Sequence, residues 1–311
     1  EIPSLPGIIK PTHPLQISEM RKAEYPGSDL QIERELSYGS NYKRYVASYQ
    51  SDGLRIYGLL TVPNGKALEG GWPAIIFNHG YIKPENYRTT ERYVAYTDIF
   101  SRNGYALFKP DYRGHGSSEG EPLGTYYSQA YTVDVLNAMV SVKRLGYVNS
   151  EKIGMWGHSM GGHITLRSMV ISKDIKAGVI WGGVVGTYYD LANNWARKKP
   201  WVPSQREQFT DRPNRQDLIE QYGTMEDNPE FWQSIDPVYF LGDILGPIQL
   251  HHAFGDDDVP YLFSVVLKEA MEKVGKEVEL FGYQTEDHNI PSPYFEDAAK
   301  KSVEFFDKYL K

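Results

Sequence analysis

Lys152-Ile153-Gly154-Met155-Trp156-Gly157-His158-Ser159-Met160-Gly161-Gly162 is the stretch on which the reading of this chain turns. It begins as an apolar run of strand character. Its middle fits the pattern G-x-S-x-G, and Ile164 to Ile171 behind it has helical composition. Small residues beside a serine let the backbone turn sharply from strand to helix, which presents the hydroxyl at the tip of the turn. The pattern alone carries little weight, because Gly116-Ser117-Ser118-Glu119-Gly120 fits it too. Ser118, however, sits in a polar, glycine-rich stretch with no helix start behind it and is expected in a solvent-facing loop. Ser159 is therefore the candidate nucleophile.

On both sides of this turn, runs rich in Val, Ile, Tyr and Phe alternate with segments of helical period. The strand-like runs are Tyr42–Gln50, Leu54–Val62, Ala74–Asn78, Ala106–Pro110, Lys152–Trp156, Gly178–Trp181, Ile248–Phe254 and Val278–Tyr283. The first two are separated only by Ser51-Asp52-Gly53, a hairpin signal, so they should pair antiparallel. Arg88–Asn103, Gln129–Leu145, Met160–Ser172 and Tyr261–Val274 carry apolar residues at three- and four-residue spacing, so the later strands should run parallel. The pattern predicts an α/β fold of about eight mostly parallel strands flanked by helices.

One interval breaks the rhythm. Between Trp181 and Ile248 lies more chain than a single crossover needs, holding Trp195, Trp201, Phe209, Tyr222, Phe231 and Trp232. A helical lid insertion over 187–246 is expected, with Trp195, Trp201 and Trp232 facing a substrate pocket; the alternative is that these aromatics form the insertion's own small core. Residues 1–41, rich in Pro, Gly and charge, read as an arm with at most one short helix near Leu15 to Glu24, and 42–311 as the main domain.

Composition excludes several classes. The 311 residues are 41% hydrophobic, 23% charged and 14% aromatic, the profile of a globular protein. Thirty-three basic against 40 acidic residues give a net charge of −7, with no basic run, so nucleic acid is not an expected partner. No stretch approaches the roughly 18 apolar residues of a membrane span. With no cysteine, disulfides, thiolate nucleophiles and cysteine-ligated zinc are excluded. The chain opens on Glu1 rather than Met, which fits either a removed leader, and with it a secreted or periplasmic protein, or a trimmed chain.

A serine hydroxyl attacks only when a base removes its proton, and that base must be oriented by a third group. In a strand-turn-helix setting the partners should follow in the order serine, acid, histidine, from loops at the carboxyl ends of later strands. Ile248–Phe254 runs into Gly255-Asp256-Asp257-Asp258, and Val278–Tyr283 into Gln284-Thr285-Glu286-Asp287-His288. Of the eight histidines, only His288 follows the last strand. His79 and His158 are expected to fix loops near the site, and His13, His115, His163, His251 and His252 to have structural roles. Chemistry alone leaves the acid open among the three aspartates. The backbone N–H of Met160, next after the nucleophile, is one expected donor to the oxyanion.

His252-Ala253-Phe254-Gly255-Asp256-Asp257-Asp258-Val259-Pro260 resembles the H-G-x-x-D-x-x-V-P loop of the α/β-hydrolase superfamily, with Ala253 in place of the glycine. The resemblance puts Asp256 in the acid position, with Asp258 as second choice. His79-Gly80-Tyr81 resembles the superfamily's H-G-x segment, implying that the Tyr81 N–H completes the oxyanion hole. Asp111-Tyr112-Arg113-Gly114-His115-Gly116-Ser117 is similar to its D-x-R-G-x-G-x-S segment, a structural loop beside the site. The likeness covers 42–311 and is nearest to prolyl oligopeptidase catalytic domains and to feruloyl (cinnamoyl) esterases.

The resemblance implies a serine hydrolase acting on carboxylic esters through Ser159, His288 and Asp256, with a small ester as partner and no metal or organic cofactor. The aromatic insertion favours an apolar, aromatic (feruloyl-type) or short-chain ester. A small peptidase is the rival, although 311 residues leave no room for the oligopeptidases' β-propeller and no acidic pair for an amine is evident. A non-catalytic binding module would be expected to have lost the serine or the histidine. Dehalogenases and epoxide hydrolases of this fold carry a carboxylate where Ser159 stands.

Overall fold

Asp52 and Gly53, with φ of 50° and 75°, make a two-residue turn whose left-handed conformations match the twist of the strands it joins. In a computed structural model, which describes residues 12–67, 69–197 and 202–311, that hairpin is part of a nine-stranded sheet. The strands are β1 (Gln31–Glu35), β2 (Tyr42–Ser51), β3 (Leu54–Pro63), β4 (Trp72–Asn78), β5 (Ala106–Pro110), β6 (Val148–His158), β7 (Ile175–Trp181), β8 (Ile248–Ala253) and β9 (Val278–Tyr283). Their order is β1-β2-β3-β5-β4-β6-β7-β8-β9. β1–β2, β2–β3 and β3–β5 pair antiparallel, and every pair from β5–β4 onward is parallel.

The helices are α1 (Ile17–Lys22), α2 (Val94–Arg102), α3 (Ala130–Lys143), α4 (Met160–Ile171), α5 (Tyr188–Asn193), α6 (Gln205–Gln208), α7 (Arg215–Tyr222), α8 (Pro229–Ile235), α9 (Tyr261–Lys273) and α10 (Tyr294–Leu310). Alternate side chains of each central strand feed opposite faces of the sheet. Ala74, Ile76, Phe108, Met155 and Ile180 join the core beneath α3, α4 and α9. Ile75, Phe77, Leu107, Trp156 and Trp181 join the core beneath α2 and α10. Covered on both faces, these strands read as continuous apolar runs, and each large side chain buried there is worth about 1.5–3 kcal/mol. Among the described residues no helix is long and apolar enough to cross a membrane.

The amino-terminal segment contributes more than its expected helix. Leu15, Ile17 and Met20 of the α1 region are buried, and the Arg21 guanidinium caps the end of α4 through the Val170 carbonyl at 2.6 and 2.9 Å. β1 then adds an edge strand absent from the sequence reading. All five of its side chains are exposed, so no alternation of apolar and polar residues marks it.

Between β7 and β8 the described residues form α5 to α8 and a final 3₁₀ turn, Pro237–Asp243. Such short helices depend on their ends: Thr187 with Asp190, Ser204 with Glu207 and Asn214 with Asp217 each form a reciprocal capping box. Tyr188, Leu218, Tyr222, Phe231, Trp232 and Ile235 pack with Leu15 into a separate small core.

Candidate active site

β4, β6, β8 and β9 all end at the same edge of the parallel sheet, so the loops after them converge. β6 ends at His158 and α4 starts at Met160, leaving Ser159 alone to reverse the chain at φ 55° and ψ −120°. Such a backbone costs of order 1–3 kcal/mol for a residue with a Cβ and persists only where its surroundings enforce it. Here the Ser159 N–H donates to the Trp181 carbonyl and its carbonyl accepts from Val184, each at 3.0 Å. A Cβ on Gly157 would lie 2.3 Å from the Gly161 carbonyl oxygen, and one on Gly161 would lie 2.0 Å from that of Asn78. The turn therefore admits no side chain at either position.

His288 follows β9. Its Nδ1 lies 2.7 Å from Asp256 Oδ2, while its buried Nε2 has no hydrogen-bond partner among the described residues. Asp256 follows β8 and is gripped on all sides. Oδ1 accepts the N–H groups of Asp258 and Val259, both at 2.9 Å, and Oδ2 also lies 3.2 Å from His252 Nε2. Burial alone would push this carboxyl's pKa up, but the hydrogen bonds from His252 and His288 outweigh it and hold the pKa well below the usual range. Asp258 meets the site through its backbone, its N–H holding Asp256 and its carbonyl accepting Trp195 Nε1 at 2.8 Å.

Sequence reasoning missed two connecting side chains. His252, fully buried, accepts from the Ser264 hydroxyl at Nδ1 (2.7 Å) and directs its Nε2–H toward Asp256 and the Val259 carbonyl. Tyr93, in a left-handed conformation just before α2, accepts the Gly80 N–H at 2.9 Å and donates to His158 Nδ1 at 2.8 Å. His158 in turn donates from Nε2 to the His288 carbonyl at 3.2 Å. Burial, then the neighbouring His288, lowers the His158 pKa to about 3, so the ring is neutral near pH 7 and keeps this direction of hydrogen bonds. No pattern in the sequence marks Tyr93. His252 stood in the acid motif, but strand periodicity made it a core residue.

The H-G-x segment is locked from behind. His79 stacks between Tyr87 and Tyr112 at 4.6 and 4.2 Å and donates to the Gly80 carbonyl at 2.7 Å. In the loop after β5, Arg113 makes a buried pair with Asp134 at 2.7 Å, and Asp111 accepts from Tyr87 and Thr89. Ser118 corrects the expectation of a solvent-facing loop. It is 5% exposed, and its Oγ accepts the Tyr57 N–H at 2.9 Å, bracing the loop against β3.

Ser159, His288, Tyr81 and Met160 line one cavity of about 1350 Å³. Trp195 lines it too, with the Arg197 guanidinium 3.8 Å above its ring. Trp201 lies outside the described residues. Trp232 corrects the pocket assignment: 3% exposed, it packs in the insertion's own core, and its Nε1 donates to the Gly223 carbonyl at 3.0 Å. Its aromatic character identified a buried residue but not which core would bury it.

The strand order, the strained serine turn and the loops that carry acid and histidine define an α/β-hydrolase. A family model described as serine aminopeptidase, S33, matches residues 73–216. An uncharacterized peptidase, YtmA, of Bacillus subtilis (strain 168) is 26% identical over 264 residues, covering 82% of this chain and 90% of that protein. Among solved structures, the acetyl xylan esterase from Paenibacillus sp. R4 superposes with a TM-score of 0.67 at 18% identity, covering 94% of this chain and 92% of that one. The acylaminoacyl peptidase of Pyrococcus horikoshii superposes with a TM-score of 0.67 at 19% identity, and the match covers 88% of this chain but only 42% of that one. The chain thus has the α/β-hydrolase fold, and the family model and the YtmA match make it similar to the serine hydrolases of that superfamily, prolyl-oligopeptidase-like in build.

Proposed function

We propose that the protein hydrolyses carboxylic esters with Ser159 as nucleophile, His288 as general base and then acid, and Asp256 as the group that orients the imidazole. The observation that carries this reading is the division of labour on His288. Nδ1 is committed to Asp256 at 2.7 Å, and Nε2, without a hydrogen-bond partner among the described residues, lies at a cavity that Ser159 also lines.

In the first half-reaction Nε2 takes the Ser159 proton as Oγ bonds to the ester carbonyl carbon. The N–H groups of Met160 and Tyr81 receive the oxyanion, and removal of one such donor ordinarily costs about 3 kcal/mol of barrier. The imidazolium then protonates the departing alkoxide as the ester C–O bond breaks. Water, deprotonated by the same nitrogen, repeats the sequence on the acyl-enzyme and releases the acid and free Ser159.

The cavity's charges support esters over peptides bound by a free amine, its lining setting Lys83, Arg92, Arg197 and Arg212 against Glu207, Asp211 and Asp258. Glu207 is the buried carboxylate of its lining, and it is already committed to Tyr81, Ser204 and Arg212. Tyr126, Tyr127, Tyr131 and Trp195 line the same space and suit an aromatic or apolar acyl or alcohol group, as in hydroxycinnamoyl esters. The test is a panel of methyl ferulate, p-nitrophenyl acetate and butyrate, and aminoacyl p-nitroanilides, run with wild type and Ser159→Ala. Esters should be cleaved faster than anilides, and Ser159→Ala should be inactive on both. A preference for anilides would make the protein a peptidase, and a flat preference for acetate would remove the aromatic pocket.

A further inference from the structure

Two side chains of the insertion reach the loops on which the reaction depends. Glu207, on α6, accepts the Tyr81 hydroxyl at 2.6 Å. Its carboxylate is itself held, by Arg212 Nη1 at 2.5 Å and by the Ser204 N–H at 2.8 Å, and its side chain is 3% exposed. α6 is docked on the main domain by further bonds: the Arg206 guanidinium donates to the carbonyls of Gly114 and Gly120, each at 2.9 Å. From the other side, Trp195 Nε1 bonds the carbonyl of Asp258, whose N–H holds Asp256.

The geometry points to Glu207 as a positioning residue: by fixing the Tyr81 side chain it fixes the peptide unit whose N–H receives the oxyanion. The insertion would then set the rate of acyl transfer as well as the shape of the pocket. This rests on the serine hydrolase mechanism above, with Tyr81 as an oxyanion donor. The Gly80 N–H is already bonded to Tyr93 Oη, so it is not the donor of this loop. The direction of the Tyr81 N–H depends on the dihedrals beside Cα, and a phenol anchored in a triply bonded carboxylate restricts how far that Cα can swing. A displacement of about 1 Å can cost up to about a hundredfold in rate. A group that merely lined the pocket would act on KM, whereas a misplaced oxyanion donor acts on kcat.

The experiment compares Tyr81→Phe, Glu207→Gln and Glu207→Ala on p-nitrophenyl acetate, with a trifluoromethyl ketone as the probe of tetrahedral-adduct binding. Tyr81→Phe removes one oxygen and keeps the backbone N–H. It should lower kcat about tenfold or more, leave KM within about twofold, and weaken the ketone by the factor lost in kcat/KM. Glu207→Gln keeps an acceptor for the phenol and should recover most of the rate that Glu207→Ala loses. Adding Glu207→Ala to Tyr81→Phe should cost little more, and Gln205→Ala on the same helix should be unchanged. Wild-type kcat in Tyr81→Phe, or a loss confined to KM with ketone affinity intact, would overturn the assignment. Tyr81→Phe decides the matter even if Glu207→Ala fails to fold. Ser159→Ala separates the two levels: if it stays active the serine mechanism falls, and if it is dead while Tyr81→Phe is wild type only this inference falls.

Discussion

The chain writes Gly-x-Ser-x-Gly twice and uses the two copies for opposite ends. In 157–161 the serine closes a strand, opens a helix and is held at φ 55° beside a cavity. In 116–120 it is buried, and its hydroxyl is consumed by a backbone N–H of β3. Each copy has a buried histidine against it, His158 within the first and His115 just before the second. The pentapeptide is therefore only a permit for a tight turn. A reactive serine also needs a parallel strand delivering it to the sheet's edge and a helix carrying the chain away.

Substitutions should separate the two copies, and the largest effect is expected at Ser159, the proposed nucleophile. Ser159→Ala is expected to lower kcat by about 10⁴- to 10⁶-fold, with Ser118→Ala within about twofold of wild type. Comparable losses in both would erase the distinction. Asp256→Asn should follow with roughly 10³- to 10⁴-fold in kcat, because the amide no longer fixes the His288 tautomer, while Asp258→Asn changes the rate by less than about tenfold. If Asp258→Asn proves the more damaging, the acid has been placed wrongly.

Smaller effects concern stability. Ser118→Ala leaves the Tyr57 N–H without its partner and should cost about 1–2 kcal/mol in denaturant unfolding. An unchanged midpoint would mean that the loop is not braced there.

The two histidines supply the finest test. Burial lowers His158 to about 3 and His115 to about 4, from an ordinary value of 6.5. Below pH 6.5 the unfolded chain therefore binds protons that the folded chain refuses, so stability is complete above that pH and is lost as pH falls. At pH 5 each site contributes a loss of order 2 kcal/mol. Asp236, raised to about 7 by burial, works in the opposite sense, its contribution being lost as pH rises toward 7. His158→Gln and His115→Gln should each flatten the fall in melting temperature between pH 6.5 and 5. Only His158→Gln should also slow ester hydrolysis, by about tenfold, since it breaks the link from Tyr93 to the His288 loop. Equal activities in the two variants would reduce His158 to a packing residue.

Much of this was legible without coordinates. The hairpin, the parallel strands, Ser159 and His288 rest on local signals: apolar periodicity, an Asp-Gly turn, and position relative to strand ends. β1 escaped because Gln31–Glu35 is exposed on every residue and has no period to read. Ser118 was misplaced because local polarity describes a loop's composition and says nothing of what packs on it. Trp232 was misplaced for the converse reason, since an aromatic side chain predicts burial without naming the core.

The fold class and the candidates Ser159 and His288 were readable from the chain alone, because each follows from residues adjacent in the chain or from the order of strands. The three-dimensional arrangement brings Asp256, the aspartate favoured by resemblance, rather than Asp258 against His288, and it alone shows that Tyr93 and His158 join the loop after β4 to the loop after β9 and that Glu207 holds Tyr81. Those contacts join residues 32 to 130 positions apart. A hydrogen bond of about 3 Å is specified by where two loops end in space, and no local pattern encodes that distance.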